Sequence, residues 1–336
     1  MTNTEEIRAM KKILLSLAPV PVEALKSLLH HSPGVPDTDV VDGHDMSAEE
    51  LAKAFVKADV VLGDYTFKRR IGKELLAKAG PLKLIQQPAA GYDNIDIKAC
   101  AERGIRVANA PTGNTITVAE HTIAMGLALL RKLVPANRGV REGRWERLTL
   151  QPSELGGKIW GLVGLGQIGR AVSLRLRPFG LTKVLYYDPH QAPKEVEEQH
   201  GVEYAPLPAL LKSSDIVSLH VPLTDSTRNM IGADALSFMK SSAYLINVSR
   251  GQLVDGTALA DALRKQMIAG AATDVFAEEP PSAADPLLQA QHDKILFSPH
   301  IAGMSAESAR RIMMQSAENI ARVLAGQDPL YVVNPV

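Results

Sequence analysis

Short apolar runs alternate with stretches of helical periodicity along almost the whole chain. KILLSL (12–17), VVLG (60–63), LKLIQQ (82–87) and IRVANA (105–110) are continuous enough to predict strands covered on both faces. Between them, AEELAKAFVKA and IGKELLAKAG space their apolar residues as one side of a helix does. Ser47 with Glu50 three residues later predicts a capping box at the start of the first of these. A second series begins at Lys158, with KIWGLVG (158–164), KVLYYD (183–188), DIVSLHV (215–221), AYLINVS (243–249), GAATDV (270–275) and KILFSP (294–299). Helical segments separate these runs, among them QIGRAVSLRLRPFG, closed by Gly180, and GTALADALRKQ. The last long one, AESARRIMMQSAENIARVLAG (306–326), is amphipathic and ends at Gly326. Strand and helix in strict alternation predict an α/β chain of two doubly wound parallel-sheet units, the final helix returning to the first.

Two segments break the alternation. From Thr115, VAEHTIAMGLALLRKL is small and aliphatic on more than one face, which predicts a buried or interfacial helix. RGVREGRWERLTLQPSEL (138–155) is polar and irregular around Trp145. It reads either as an arm laid on a second subunit or as a surface loop with a half-buried tryptophan.

Composition narrows the function without choosing it. The 336 residues suffice for two buried cores. Lysine plus arginine (37) equals aspartate plus glutamate (37), so no charge excess points to nucleic acid or an anionic membrane, and little repulsion opposes self-association. One cysteine, Cys100, forbids an intrachain disulfide and argues against an extracellular framework. The amino terminus does not read as a secretory signal, and no apolar run approaches the roughly 20 residues a membrane span needs. A cytoplasmic location is the expectation.

Chemistry enters with GLVGLGQIGR, where Gly164, Gly166 and Gly169 have the G-x-G-x-x-G spacing between a strand and a helix. The first glycine permits the tight turn, the second close approach of a pyrophosphate, and the third close helix–strand packing. The helix then directs its first N–H groups, at Gln167 and Ile168, and its positive dipole end at the phosphates. The next strand ends in Asp188, 19 residues beyond Gly169, placed to accept from ribose hydroxyls and to repel a 2′-phosphate. Pro189 and His190 follow it, without the arginine of an NADP site. NAD is therefore the expected cofactor, ahead of NADP.

Three later strand ends carry further polar groups: Arg250 in INVSRGQLVD, Asp274 and Glu279 in GAATDVFAEEP, and His300 in FSPHIAG. Together with AAGYDNID (89–96), VAEHTIAM (118–125) and SLHVPLTDSTRNMI (218–231), these motifs run through essentially the whole chain in the order of one family. The sequence resembles the D-isomer-specific 2-hydroxyacid dehydrogenases. The resemblance implies a Rossmann NAD-binding domain (113–301) inserted into a flavodoxin-like substrate domain (1–112 and 302–336), a site in the cleft between them, and a homodimer. It implies that His300 is the acid for reduction and the base for oxidation, with Glu279 as its partner. Histidine titrates near neutrality, and a paired carboxylate favours and orients the imidazolium. Arg250 would hold the substrate carboxylate and polarise the carbonyl, a planar fork being suited to both. The backbone of Ala89, Ala90 and Gly91 would bind the same carboxylate. His220, Val221, Pro222 and Val248 would border the cofactor, and Asp274 would face its carboxamide.

The remaining histidines are expected to be bland: His121 packing on a helix face, and His30, His31, His44, His200 and His292 at the surface. They are not at metal-ligand spacing, and one cysteine makes no zinc site, so no metal is expected. Glyoxylate and hydroxypyruvate are the favoured substrates, with 3-phosphoglycerate the alternative if Lys68, Arg69 and Arg70 bind its phosphate. Formate is disfavoured because Glu279 stands where those enzymes resemble a glutamine pattern. An NAD-sensing, corepressor-like protein is a further alternative from outside enzymology.

Overall fold

The computed structural model describes residues 11–30, 32–290 and 294–335. The chain divides into two compact units, one of residues 1–114 with 305–336 and the other of residues 115–304.

In the first unit the strands are β1 (Lys12–Ser16), β2 (Thr38–Asp42), β3 (Val60–Leu62), β4 (Leu84–Gln86) and β5 (Arg106–Ala108). They form one sheet in the order β2-β1-β3-β4-β5, with every pair parallel. Successive side chains point to opposite faces. Leu14, Val60, Leu62 and Leu84 therefore enter a core with Leu25 and Leu29 of the helix Val22–His30 and with Ile320 and Leu324 of the helix Ala306–Leu324. Their neighbours Leu15, Val61, Ile85 and Val107 meet Phe55 of the helix Ala48–Phe55 and Cys100 of the helix Ile97–Glu102 on the other face. Ser47 and Glu50 make the expected capping box. The tail pairs back on β5, where Ala108 bridges Val332 and Asn334 Oδ1 accepts from the Val107 N–H at 2.7 Å. Cys100 is fully buried, and burial, reinforced by the Asp96 charge, pushes its thiol up to about 12.

The second unit holds β6 (Ile159–Val163), β7 (Lys183–Tyr187), β8 (Glu203–Tyr204), β9 (Ile216–Leu219), β10 (Tyr244–Asn247), β11 (Gly270–Thr273) and β12 (Ile295–Phe297). Their order is β12-β11-β10-β9-β6-β7-β8, again with every pair parallel. The order reverses between β6 and β9, and such a point of reversal opens a crevice at the carboxyl ends of the strands. One face packs Trp160, Leu162 and Ile246 against the helices Thr115–Leu130 and Gln167–Leu176. The other packs Val163, Val217 and Leu245 against Leu210, Leu236 and Leu263 of shorter helices.

Two strands were not expected, β2 and β8, and both are sheet edges. Trp145 is 81% exposed and Leu148 88%, so a half-buried tryptophan is not what the 138–155 segment contains. Among the described residues no helix is long and apolar enough to cross a membrane. Residues 1–10, on which the reading of the amino terminus rests, lie outside the described residues.

Candidate active site

The glycine turn closes over the end of β6. Gly164 has φ +104°, and a Cβ there would stand 2.7 Å from the carbonyl oxygen of His220 at the end of β9. A Cβ on Gly169 would lie 2.2 Å from the Gly164 oxygen, so helix and turn touch backbone to backbone. Gly166 is different: apart from its own chain neighbours, none of the described residues comes within 4 Å of the Cβ it lacks. It is the N-cap of Gln167–Leu176 and provides no side-chain cap. An uncapped helix start beside open space fits the pyrophosphate of a dinucleotide, since both the N–H donors and the dipole favour an anion there. Asp188 ends the next strand, and its Oδ2 accepts from the Leu165 N–H at 3.1 Å, which ties it to the turn. Arg170 Nε donates to the Leu165 oxygen at 3.0 Å and steadies the same loop.

Beyond β9, Ser249 Oγ donates to the Val221 oxygen at 2.5 Å, joining the His220–Pro222 segment to the stretch after β10. His220 lies 2.9 Å from Ser218 Oγ through Nε2, while its Nδ1 is buried without a partner among the described residues. Burial pushes its imidazole down to about 3. Val248 is buried next to Asn247, the last residue of β10. Asn247 bends the chain at Arg250: its amide donates to the Arg250 oxygen at 2.8 Å and its Oδ1 accepts from the Ser249 N–H at 3.1 Å. Arg250 is half-buried, with one guanidinium N–H donating to the Ser249 oxygen at 2.7 Å.

Glu279 and His300 are brought together. His300 Nδ1 is 2.6 Å from Glu279 Oε2, and Glu279 Oε1 accepts from the Phe276 N–H at 2.9 Å. Burial pushes the Glu279 carboxyl up. The hydrogen bonds from His300 and Phe276, with the charges of His300 and Arg250, outweigh that and hold it below the usual carboxylate value. Both side chains remain about a third exposed, 37% and 36%. The imidazole is therefore oriented by a carboxylate yet open to a reactant.

His300 sits at φ +55°, in the left-handed region. Such a residue costs about 1–3 kcal/mol unless its surroundings hold it. Asp274 does so: its backbone oxygen accepts from the His300 N–H at 2.7 Å. Its carboxylate, fully buried, accepts from the N–H groups of Ile301 (2.9 Å) and Ala302 (2.8 Å) and from Ser298 Oγ (2.5 Å).

In the first unit, Ala89, Ala90 and Gly91 turn the chain after β4. The Ala89 oxygen accepts from the Ala110 N–H and the Ala90 oxygen from Asn109 Nδ2. A trans peptide points its N–H opposite its carbonyl, so the next two N–H groups are directed away from those anchors. Of the three cations considered for a phosphate, Arg69 donates to the His44 oxygen, whereas Lys68 and Arg70 are exposed.

Two histidines depart from expectation. His200 is not at the surface but 7% exposed, 3.3 Å from Ser173 Oγ, and held low by burial and by the Arg170 and Arg177 charges. His121 does more than pack, since its Nε2 lies 3.1 Å from Ser298 Oγ. His30 is exposed and His44 half-buried, while His31 and His292 lie outside the described residues. Asn247 and His121 were missed as contributors. The signal for Asn247 was available in the sequence, a polar residue ending the apolar run YLIN.

Residues 123–302 match the D-isomer specific 2-hydroxyacid dehydrogenase, NAD binding domain. The chain is 43% identical over 268 residues to a glyoxylate reductase of Korarchaeum cryptofilum, covering 79% of this chain and 80% of that one. The chain belongs to the D-isomer specific 2-hydroxyacid dehydrogenase family. This is a family of NAD-dependent oxidoreductases of small 2-hydroxy and 2-keto acids. A D-3-phosphoglycerate dehydrogenase of Methanocaldococcus jannaschii is 38% identical over 326 residues and 97% of this chain, which spans 60% of its length. Among solved structures, the D-lactate dehydrogenase from Aquifex aeolicus complexed with NAD and lactic acid is 30% identical. It has a TM-score of 0.81 and coverage of 94% of this chain and 96% of that one. Among the described residues no three or more His, Cys, Asp or Glu side chains cluster as metal ligands.

Proposed function

We propose that this D-2-hydroxyacid dehydrogenase reduces a small 2-keto acid, glyoxylate or hydroxypyruvate, with NADH, and that His300 is its proton carrier. The observation that carries the reading is the 2.6 Å His300–Glu279 pair, which follows β11 and β12 at the same carboxyl-end edge of the sheet as the uncapped glycine turn after β6. The nicotinamide, when bound, supplies the hydride. His300 hands its Nε2 proton to the carbonyl oxygen, while Glu279 accepts at Nδ1 and steadies the imidazolium. Arg250 receives the substrate carboxylate and polarises the carbonyl, as a guanidinium fork does for two oxygens at once. Gly166, Gln167 and Ile168 hold the pyrophosphate and Asp188 the ribose, which favours NAD over NADP. The segments at His220, Val221, Pro222 and Val248 border the cofactor.

The engagement of Arg69 by the His44 carbonyl oxygen supports a substrate without phosphate. The exposed Lys68 and Arg70 keep 3-phosphoglycerate as the second reading. The exposed Trp145 and Leu148 support a homodimer.

A panel of 2-keto acids and of 3-phosphoglycerate, each with both nicotinamide cofactors, tests the proposal. NADH oxidation with glyoxylate or hydroxypyruvate is expected, falling by about 10²–10⁴ in His300→Ala. Turnover of none of them sinks the reading, and preference for the phosphorylated acid transfers it to the alternative.

A further inference from the structure

Asp274 accepts from the N–H groups of His300, Ile301 and Ala302, so what fixes Asp274 bears directly on the aim of the imidazole. The directions of those bonds follow from their chemistry. A carboxylate only accepts, hence Ser298 Oγ must spend its single proton on Asp274 Oδ1, at 2.5 Å. That leaves the Ser298 oxygen as an acceptor toward His121 Nε2 at 3.1 Å. His121 must therefore carry hydrogen on Nε2 and donate. The same nitrogen lies 3.8 Å from Asp274 Oδ1, so the donor dipole also faces the buried carboxylate. His121 is on the helix Thr115–Leu130, which packs across β10 and β11, and thus is anchored independently of the turn it supports.

We infer that His121 and Ser298 are positioning residues: a one-way chain, His121 Nε2–H to Ser298 Oγ–H to Asp274, holds the left-handed turn that aims His300. Neither side chain acts on substrate. Ser298 restrains Asp274 from within the turn, and His121 restrains Ser298 from a separate element. This deepens the proposed function and rests on His300 being the proton carrier.

Two measurements test it. The first needs no turnover: ¹⁵N NMR of histidine-labelled apo-protein should show His121 as the Nε2–H tautomer, a signature lost in Ser298→Ala. The second is kinetic. In Ser298→Ala and His121→Phe, kcat should fall by about tenfold to a hundredfold, the scale of a slightly misaimed catalytic group. The KM for NADH and the Tm should stay close to those of the unaltered protein. Ser298→Thr, which keeps the hydroxyl, and His121→Gln, which keeps a donor at the Nε2 position, should restore most of the rate. An Nδ1–H tautomer at His121 overturns the inference, as does full kcat in Ser298→Ala. A loss of rate matched by a loss of Tm and not repaired by Ser298→Thr marks ordinary packing and overturns it too. If the unaltered protein reduces no 2-keto acid, the functional reading fails instead, and the tautomer result still decides the hydrogen-bond chain.

Discussion

At the scale of single residues, the proposed chemistry depends on how Glu279 conditions His300. The carboxyl of Glu279 is held below its ordinary 4.5, so it stays ionised throughout the range in which an imidazole titrates. Glu279→Gln removes the charge that favours imidazolium. It should lower kcat/KM for keto-acid reduction at pH 7.5 by about tenfold or more and move the alkaline limit of the rate to lower pH. A pH profile of the variant that overlays the original would show that the pair is not functional. Asp188→Ala should weaken NADH binding, measured by titration of the apo-protein, and narrow the gap to NADPH. An unchanged ratio would remove Asp188 from the ribose site. His300, Glu279 and Arg250 were legible because their residue types and offsets are tied to chemistry. His200 and His121 were not, because a single histidine inside a helical pattern carries no sign of which way it faces. His200 ends its helix and turns inward under Arg170 and Arg177, and His121 reaches a serine 177 residues away.

At the scale of elements, the ten strands read from the sequence are the apolar runs, and the two that escaped are two of the four edge strands. β2, TDVVD, has only half-buried and exposed residues, and β8 is the dipeptide Glu203–Tyr204. An edge strand is covered on fewer sides and needs charged or polar residues against further pairing, which erases the hydrophobic signal. The glycine turn was legible from spacing alone, and its three positions separate by experiment. Gly166→Ala adds a methyl to open space at an ordinary φ of −74°, so apo stability should change by less than about 0.5 kcal/mol. NADH affinity should nonetheless fall, because the proposed pyrophosphate site uses that space. Gly169→Ala drives a methyl into the Gly164 carbonyl and should cost about 1–3 kcal/mol without any ligand present. Denaturant melts of the two apo variants distinguish them; equal losses would contradict the assignment of Gly166 to a ligand.

At the scale of the whole molecule, two separately built sheets share one chain, and each has its own sensitivity to pH and to reagents. In the second unit His200 is held below 6.5, first by burial and then by Arg170 and Arg177, and His220 is pushed to about 3. The unfolded chain binds those protons near 6.5 while the folded one refuses them. This part of the stability is complete above about pH 6.5 and drains as pH falls below it. Melting temperatures at pH 7.5 and 5.5 should therefore differ less in His200→Gln than in the unaltered protein. In the first unit, Cys100 has no exposed surface, and its thiol titrates only near 12. The molecule thus comes with a silent label already installed. A thiol-reactive dye should ignore the native protein and react as fast as a free peptide once the core around Phe55 and Ile85 opens. Modification rates at rising denaturant would then time the breathing of that unit alone, with the sheet that carries the glycine turn contributing no signal.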